Sequence, residues 1–381
     1  MRLKDLLDAL PTILGSTGGD VEVHGIAADS RQVRAGDIFV AIPGVSVDGH
    51  RFIAEAVNKG AVAVVCERDP QELPGLAWGA FTYVRVPDAR EAWGWLCAAW
   101  HDFPSRKMTL VGVTGTDGKT TTVNLIYNIL RAAGINAGMV STVNARIGDE
   151  ESDTGLHTTT PDPPDLQAYL AQMIEAGTTH AVLEVTSHGL AQHRVAGCDF
   201  DVAAVTNVTH EHLDAHGGSL EAYQQAKARL FAGLTRSSRK LGVLKVAVLN
   251  RDDDSYRYLA PHPADRQITY SIPGPADVIA HSLYSTPNRT RFTLCTPAGD
   301  ALIETSLTGA YNVSNVLAAA SVGVALGVEL DVISKGVAAV QSIPGRMERI
   351  EEGQDFFAIV DFAHTPNALL QALRTARTMA G

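Results

Sequence analysis

Met108-Thr-Leu-Val-Gly-Val-Thr-Gly-Thr-Asp-Gly-Lys-Thr-Thr-Thr122 begins as an apolar run and breaks into a glycine loop ending in Gly118-Lys119-Thr120. The run reads as a buried strand, and Val123 to Ala133 carries helical spacing with Gly134 placed as a C-cap. A strand, a glycine loop and a helix in that order bind phosphate. Small residues let successive N–H groups converge on an anion, the helix N-terminus adds partial positive charge, the lysine adds a full one, and the threonine hydroxyl suits Mg²⁺. A turn that only caps a helix needs neither the lysine nor the hydroxyl run. The strict spacing of such loops puts glycine at position 113; this chain has Val113 there and keeps its inner glycine at Gly115, so the loop is a variant form.

Working outward, a chain of 381 residues is long enough for two or three domains. A hydrophobic content of 45% with 19% charged residues describes a soluble globular protein. The net charge of -11 argues against a broad basic face for nucleic acid, so an anionic ligand must be met by a few placed cations. Charges interrupt Met1-Arg-Leu-Lys-Asp5 where a signal peptide would be apolar. No run approaches the roughly eighteen apolar residues of a membrane span, so the expected location is the cytoplasm, without membrane insertion. The four cysteines, Cys66, Cys97, Cys198 and Cys295, are scattered and form no Cys-x-x-Cys pair, as core thiols in a reducing compartment would be.

Three segments are expected. Residues 1–103 alternate short apolar strands with helical patterns and form a small α/β domain. In residues 104–342, strands ending in polar residues alternate with helices, which implies a doubly wound, mainly parallel sheet covered on both faces. Residues 343–381 offer one strand, Phe356 to Asp361, and a helix after His364-Thr-Pro366. That is too little to bury a core, so the segment reads as the beginning of a further domain, incomplete here.

The carboxyl ends of the central strands carry further polar groups, where a doubly wound sheet places its chemistry. Ala181-Val-Leu-Glu184 delivers a carboxylate that, with Thr120, offers Mg²⁺ the hard oxygens it prefers, the alternative being a plain surface glutamate. Val202 to Asp214 is a strand followed by His210, Glu211 and His212, with His216 beyond. Three histidines suggest zinc, whereas the neighbouring phosphate loop calls for Mg²⁺. Ser219 is a good N-cap for a helix carrying Lys227, to which spacing alone assigns no role.

Thr114-Gly-Thr-Asp-Gly-Lys-Thr-Thr121, Glu184-Val-Thr-Ser-His-Gly-Leu-Ala-Gln-His-Arg194, Asn207-Val-Thr-His-Glu-His-Leu-Asp214 and Glu221-Ala-Tyr-Gln-Gln-Ala-Lys227 together resemble the Mur ligase family, in its UDP-N-acetylmuramoyl-tripeptide synthetase (MurE-type) branch. Asp29-Ser-Arg31, Asp48-Gly-His50, His157-Thr-Thr-Thr-Pro-Asp162, Gly309-Ala-Tyr-Asn-Val-Ser-Asn315, Pro344-Gly-Arg-Met-Glu348 and Asp361-Phe-Ala-His-Thr-Pro366 extend the likeness along the chain. Glu211 stands where Asp is usual and Thr186 where Ser is usual.

The resemblance implies an ADP-forming ligase of peptidoglycan precursor synthesis, which adds a third, diamino acid to UDP-N-acetylmuramoyl-L-alanyl-D-glutamate through an acyl phosphate. It implies an N-terminal uridine-nucleotide domain, a central P-loop ATPase domain and the start of a Rossmann-like C-terminal domain, in a monomer. By carry-over, Gly115, Thr116, Asp117, Gly118, Lys119, Thr120, Thr121, Asn312 and Arg346 bind ATP. Thr120, Glu184 and His212 hold Mg²⁺, and Lys227 is carried as a carbamate, N6-carboxylysine, with Lys119, Glu184 and His212 beside it in catalysis. Ser30, Thr159, Thr160, Thr186, Gln192 and Arg194 match the contacts to the UDP-N-acetylmuramoyl-dipeptide. Arg194 suits a carboxylate partner, while Asp162-Pro163 also reads as a helix start that would account for part of the hydroxyl run. The family's amino-acid-selecting motif falls beyond Gly381, which leaves the third amino acid open. Two alternatives stay in view: a folylpolyglutamate synthetase-like ligase, which Asp29-Ser-Arg31 argues against, and a catalytically incomplete piece that binds nucleotide and UDP precursor.

Overall fold

The computed structural model describes residues 1–44, 47–73, 76, 79–153, 159–209 and 216–380. They fall into two compact units, one of Met1–Pro104 with Pro161–Ala171 and Ala191–Cys198, the other of Ser105–Thr160, Gln172–Leu190 and Asp199–Gly381.

In the first unit the described residues form a five-stranded sheet in the order Gly15–Thr17, Thr82–Arg85, Ala63–Cys66, Asp37–Val40, Gly25–Ala27. All neighbours pair parallel except Gly15–Thr17, which runs antiparallel along Thr82–Arg85. The strands are apolar on consecutive positions because both faces are covered. Ile38, Val40, Val65 and Val84 pack with Leu3, Leu6 and Leu96, while Phe39, Val64, Cys66 and Tyr83 pack with Ile53 and Ala56.

In the second unit the described residues form an eleven-stranded sheet. Its centre runs Val246–Asn250, Val202–Val205, Thr109–Thr114, His180–Glu184, Ala137–Val140, all parallel. Antiparallel strands extend it at both edges, Asn144–Ile147 and Glu150–Asp153 on one side and Arg289–Thr296 and Gly299–Thr305 on the other. The mainly parallel, two-face-covered sheet expected from the sequence is thus present. On one face the helices Lys119–Ala132, Ala310–Ala325 and Leu330–Ala339 bury Val123, Ile126, Leu130, Val316, Ala320 and Ile333 against the strands. Gly336 permits this packing: a Cβ there would sit 2.4 Å from Ile129 Cα. The other face is covered by Leu220–Leu234, whose Leu230 meets the strand at Gly112.

The last segment differs from expectation in extent. Its strand is Ala358–Val360, paired antiparallel with Glu348–Ile350, rather than Phe356 to Asp361. Phe356 and Phe357 stay exposed, Phe357 meeting the Arg349 guanidinium 4.4 Å from its ring centroid, so no buried core holds them extended. A helix, Pro366–Ala380, follows. Among the described residues no helix is long and apolar enough to cross a membrane.

The amino ends of the central strands are tied by a buried charge network that composition could not reveal. Asp201 is fully buried; its carboxylate accepts Leu110 N–H at 2.8 Å, pairs with Lys245 at 2.9 Å and also holds Lys240. Lys245 donates as well to the carbonyls of Phe200 at 2.8 Å and Ser238 at 2.9 Å. Removing the charge of Asp201 leaves two ammonium groups short of a counter-ion in a dry site, a loss of roughly 3–5 kcal/mol. Asp201→Asn should therefore lower the urea unfolding free energy by that amount, and a loss below about 1 kcal/mol would mean that water already serves these groups.

Candidate functional site

The phosphate loop is built by its glycines and held by the next strand. Gly118 has φ +82°, which ends the loop, and the helix begins directly at Lys119, earlier than the apolar spacing suggested, with Thr122 N–H donating to Gly118 O at 2.9 Å. A Cβ on Gly118 would lie 2.2 Å from Asn315 Oδ1, and one on Gly115 would lie 1.8 Å from Thr206 Oγ1, so the loop tolerates no side chain at either position. Asn207 clamps it: its carbonyl accepts Thr116 N–H at 2.7 Å, its side-chain oxygen accepts Asp117 N–H at 3.0 Å, and its amide donates to Asp117 O at 3.1 Å. Thr206 Oγ1 donates to the same carbonyl at 2.6 Å.

Lys119 folds back over the loop and donates to Thr116 O at 2.7 Å. Burial pulls its pKa below the ordinary lysine value, with Glu184 and Asp117 opposing. Thr120 Oγ1 donates to both carboxylate oxygens of Glu184, at 3.0 and 3.1 Å, and accepts Arg346 Nη2 at 2.9 Å. Glu184 is buried at its strand end and also accepts Thr142 N–H at 2.9 Å. A hydroxyl beside a carboxylate, at the mouth of a phosphate loop, is the hard-oxygen donor set that suits Mg²⁺. His210, Glu211, His212 and Asp214 lie outside the described residues, as do His157 and Thr158.

Lys227 is 1% exposed and projects under the loop, donating to Gly115 O at 2.6 Å. Burial, and then the charge of Lys119, hold its pKa well below the ordinary value. Among the described residues no carboxylate forms an ion pair with it. A buried amine that sheds its proton readily is a nucleophile.

Thr159, Thr160 and Thr186 gather beside Glu184. Thr160 Oγ1 donates to Glu184 O at 3.2 Å and lies 3.0 Å from Thr186 Oγ1, while Thr142 Oγ1 donates to Thr159 Oγ1 at 3.2 Å. Asn312 accepts Asn315 Nδ2 at 3.1 Å and so aims Asn315 at Gly118. Ser30, Gln192 and Arg194 belong to the first unit. There Ser30 Oγ donates to Glu55 at 3.1 Å, and Arg194 donates twice to Gln192 Oε1, at 2.9 and 3.1 Å, with Asp162 3.2 Å away. Asp162 is engaged by this guanidinium, and Pro163 takes the first position of the helix Pro163–Glu175.

Four residues that contact the site carried no role in the sequence reading: Thr142, Thr206, Asn207 and Asn315. Asn207 had a signal, since it opens a quoted motif directly after an apolar strand. Thr142 had none, because its bond to Glu184 is made through a backbone N–H, which no residue type announces.

Known proteins resemble this chain in sequence and in fold. Residues 113–323 match the Mur ligase middle domain, and residues 22–101 match the Mur ligase family, catalytic domain. The UDP-N-acetylmuramoyl-L-alanyl-D-glutamate–2,6-diaminopimelate ligase of Geobacillus thermodenitrificans is 42% identical over 381 residues, which span 100% of this chain and 76% of the relative. A UDP-N-acetylmuramyl-tripeptide synthetase of Roseiflexus is 42% identical over 390 aligned positions, covering 100% of this chain and 75% of that protein. A solved structure of a UDP-N-acetylmuramoyl-L-alanyl-D-glutamate–2,6-diaminopimelate ligase superimposes with a TM-score of 0.77 at 32% identity, over 93% of this chain and 70% of that one. With its glycine loop, Glu184 and Lys227 set on a matching fold, and with identity at this level along its whole length, the chain belongs to the Mur ligase family.

Proposed function

We propose that this chain is an ATP-dependent ligase that joins 2,6-diaminopimelate to UDP-N-acetylmuramoyl-L-alanyl-D-glutamate, a step of peptidoglycan precursor synthesis. The observation that carries the reading is the grouping of Lys119 with the buried Thr120, Glu184 and Lys227 around one phosphate loop, in a chain 42% identical over its whole length to a ligase of that name. ATP transfers its γ-phosphoryl group to the carboxylate of the D-glutamyl residue. The incoming amine then attacks the acyl carbon, forming the C–N bond as the C–O bond to phosphate breaks and a proton is lost from nitrogen.

Each residue has work suited to its surroundings. Backbone N–H groups of Gly118, Lys119 and Thr120 at the helix N-terminus, together with the Lys119 ammonium, offset phosphate charge, which otherwise repels the attacking carboxylate, while the N–H groups of Thr116 and Asp117 are held by Asn207. Thr120, Glu184 and His212 would hold Mg²⁺, which supplies charge stabilisation at the phosphoryl oxygens. The neutral amine of Lys227 adds to CO₂ and loses a proton, becoming a carbamate and so replacing a cation with an anion under the loop. Asn312 and Arg346 complete the ATP site. Thr159, Thr160, Thr186, Gln192 and Arg194 hold the dipeptide part of the substrate, with Arg194 meeting a carboxylate, and Ser30 meets the uridine nucleotide.

Phosphate release from Mg·ATP and the UDP-dipeptide should require 2,6-diaminopimelate, and Lys119→Met or Glu184→Gln should each lower it by at least about a hundredfold. Binding of the UDP-dipeptide without any release would sink the ligase reading in favour of a binding piece. Lys227 predicts a pH effect. Its folded pKa lies below the ordinary 10.5, so unfolding takes up a proton between those two values and stability rises with pH across that window. In CO₂-free buffer the stability of the wild type relative to Lys227→Met should climb as pH increases toward 10.5. A difference that stays flat would mean that the amine titrates as in water.

A further inference from the structure

Tyr223 is fully buried beneath the phosphate loop, on the helix that carries Lys227 one turn later. Its hydroxyl lies 2.8 Å from Thr116 Oγ1. The same Thr116 oxygen accepts Thr209 N–H at 3.0 Å, and the Thr116 carbonyl accepts the Lys119 ammonium at 2.7 Å. Over the ring face sits Lys227 Nζ, 4.5 Å from the centroid. His216 packs edge-on at 5.3 Å between centroids, with its Nε2 3.1 Å from Ser187 Oγ. One phenol is thereby linked to segments that follow three strands of the sheet, those ending at Thr114, Glu184 and Val205.

We propose that Tyr223 is a positioning residue for the nucleotide phosphates: its hydroxyl fixes Thr116, and through the Thr116 carbonyl it sets where the Lys119 ammonium stands. A tyrosine serving only the core would satisfy its hydroxyl on any acceptor; this one uses the loop that must receive the anion. The helix Leu220–Leu234 therefore places both the loop, through Tyr223, and the amine of Lys227, so a shift of the helix moves the two together. Small displacements matter here, since catalytic groups about 1 Å out of place lose large factors in rate.

The inference rests on the ATP-dependent reading, and Tyr223→Phe tests it, because this change keeps the ring contacts to Lys227 and His216 and removes one oxygen. Calorimetric titration of the chain with Mg·ATP should show Kd raised about three- to tenfold, the worth of one hydrogen bond. Affinity for the UDP-dipeptide and the thermal midpoint should stay close to wild type. Thr116→Val should give the same loss, the double variant no more than either single one, and Thr116→Ser should restore wild-type binding. Wild-type Mg·ATP affinity in Tyr223→Phe, or losses that add in the double variant, would overturn the proposal. A wild-type chain that binds no Mg·ATP would overturn the ligase reading itself, a result separate from any change between variants.

Discussion

Three adjacent strands of the large sheet run parallel in a register that sets Glu184 opposite Val113 and Val205 opposite Thr114. Because parallel strands end at the same edge, the loop after Thr114 emerges between a carboxylate on one side and Thr206 and Asn207 on the other. A shift of one residue would turn Glu184 to the opposite face and take Asn207 away from the loop backbone. The chemistry of this site is therefore a property of register before it is a property of any one side chain.

Two buried lysines show how surroundings decide what an amine becomes. Lys245 faces the Asp201 carboxylate and two carbonyls, so its charge is matched where it lies. Lys227 is as deeply buried but has no carboxylate ion-pair partner among the described residues, so burial, and then the repulsion of Lys119, make its proton costly to keep despite the Gly115 carbonyl and the Tyr223 ring. The first stitches the sheet at the amino ends of its strands. The second lies under the phosphate loop at the carboxyl ends, holding its proton less firmly.

Much of this was legible in the sequence where the signal is local. The strand, loop and helix around Gly118-Lys119-Thr120 announce themselves because an apolar run, glycines and a lysine lie within fifteen consecutive residues, and Glu184 shows because an apolar strand ends in an acid. Lys227 did not show by spacing, since a lysine in a second helical turn is ordinarily solvated; only likeness to a family singled it out. The Asp201 network and the Thr142 contact join residues far apart in sequence through a register that no short window contains. Phe356 and Phe357 misled for the opposite reason: two aromatic residues beside Ala358–Val360 look like strand, yet they stay exposed.

The bond from Arg346 to Thr120 spans 226 residues, and the core beneath the loop draws on side chains from Val111 to Ile343. A ribosome makes the loop, and both neighbours that clamp it, well before it makes the helices Ala310–Ala325 and Leu330–Ala339 that cover one face of the sheet. During that interval the nascent chain carries a parallel sheet whose apolar side is covered by Lys119–Ala132 alone of its three helices, leaving the kind of surface that chaperones shield and that aggregates when left bare. Order of synthesis thus sets a hazard that the finished fold conceals, and slow closure of long-range contacts lengthens it.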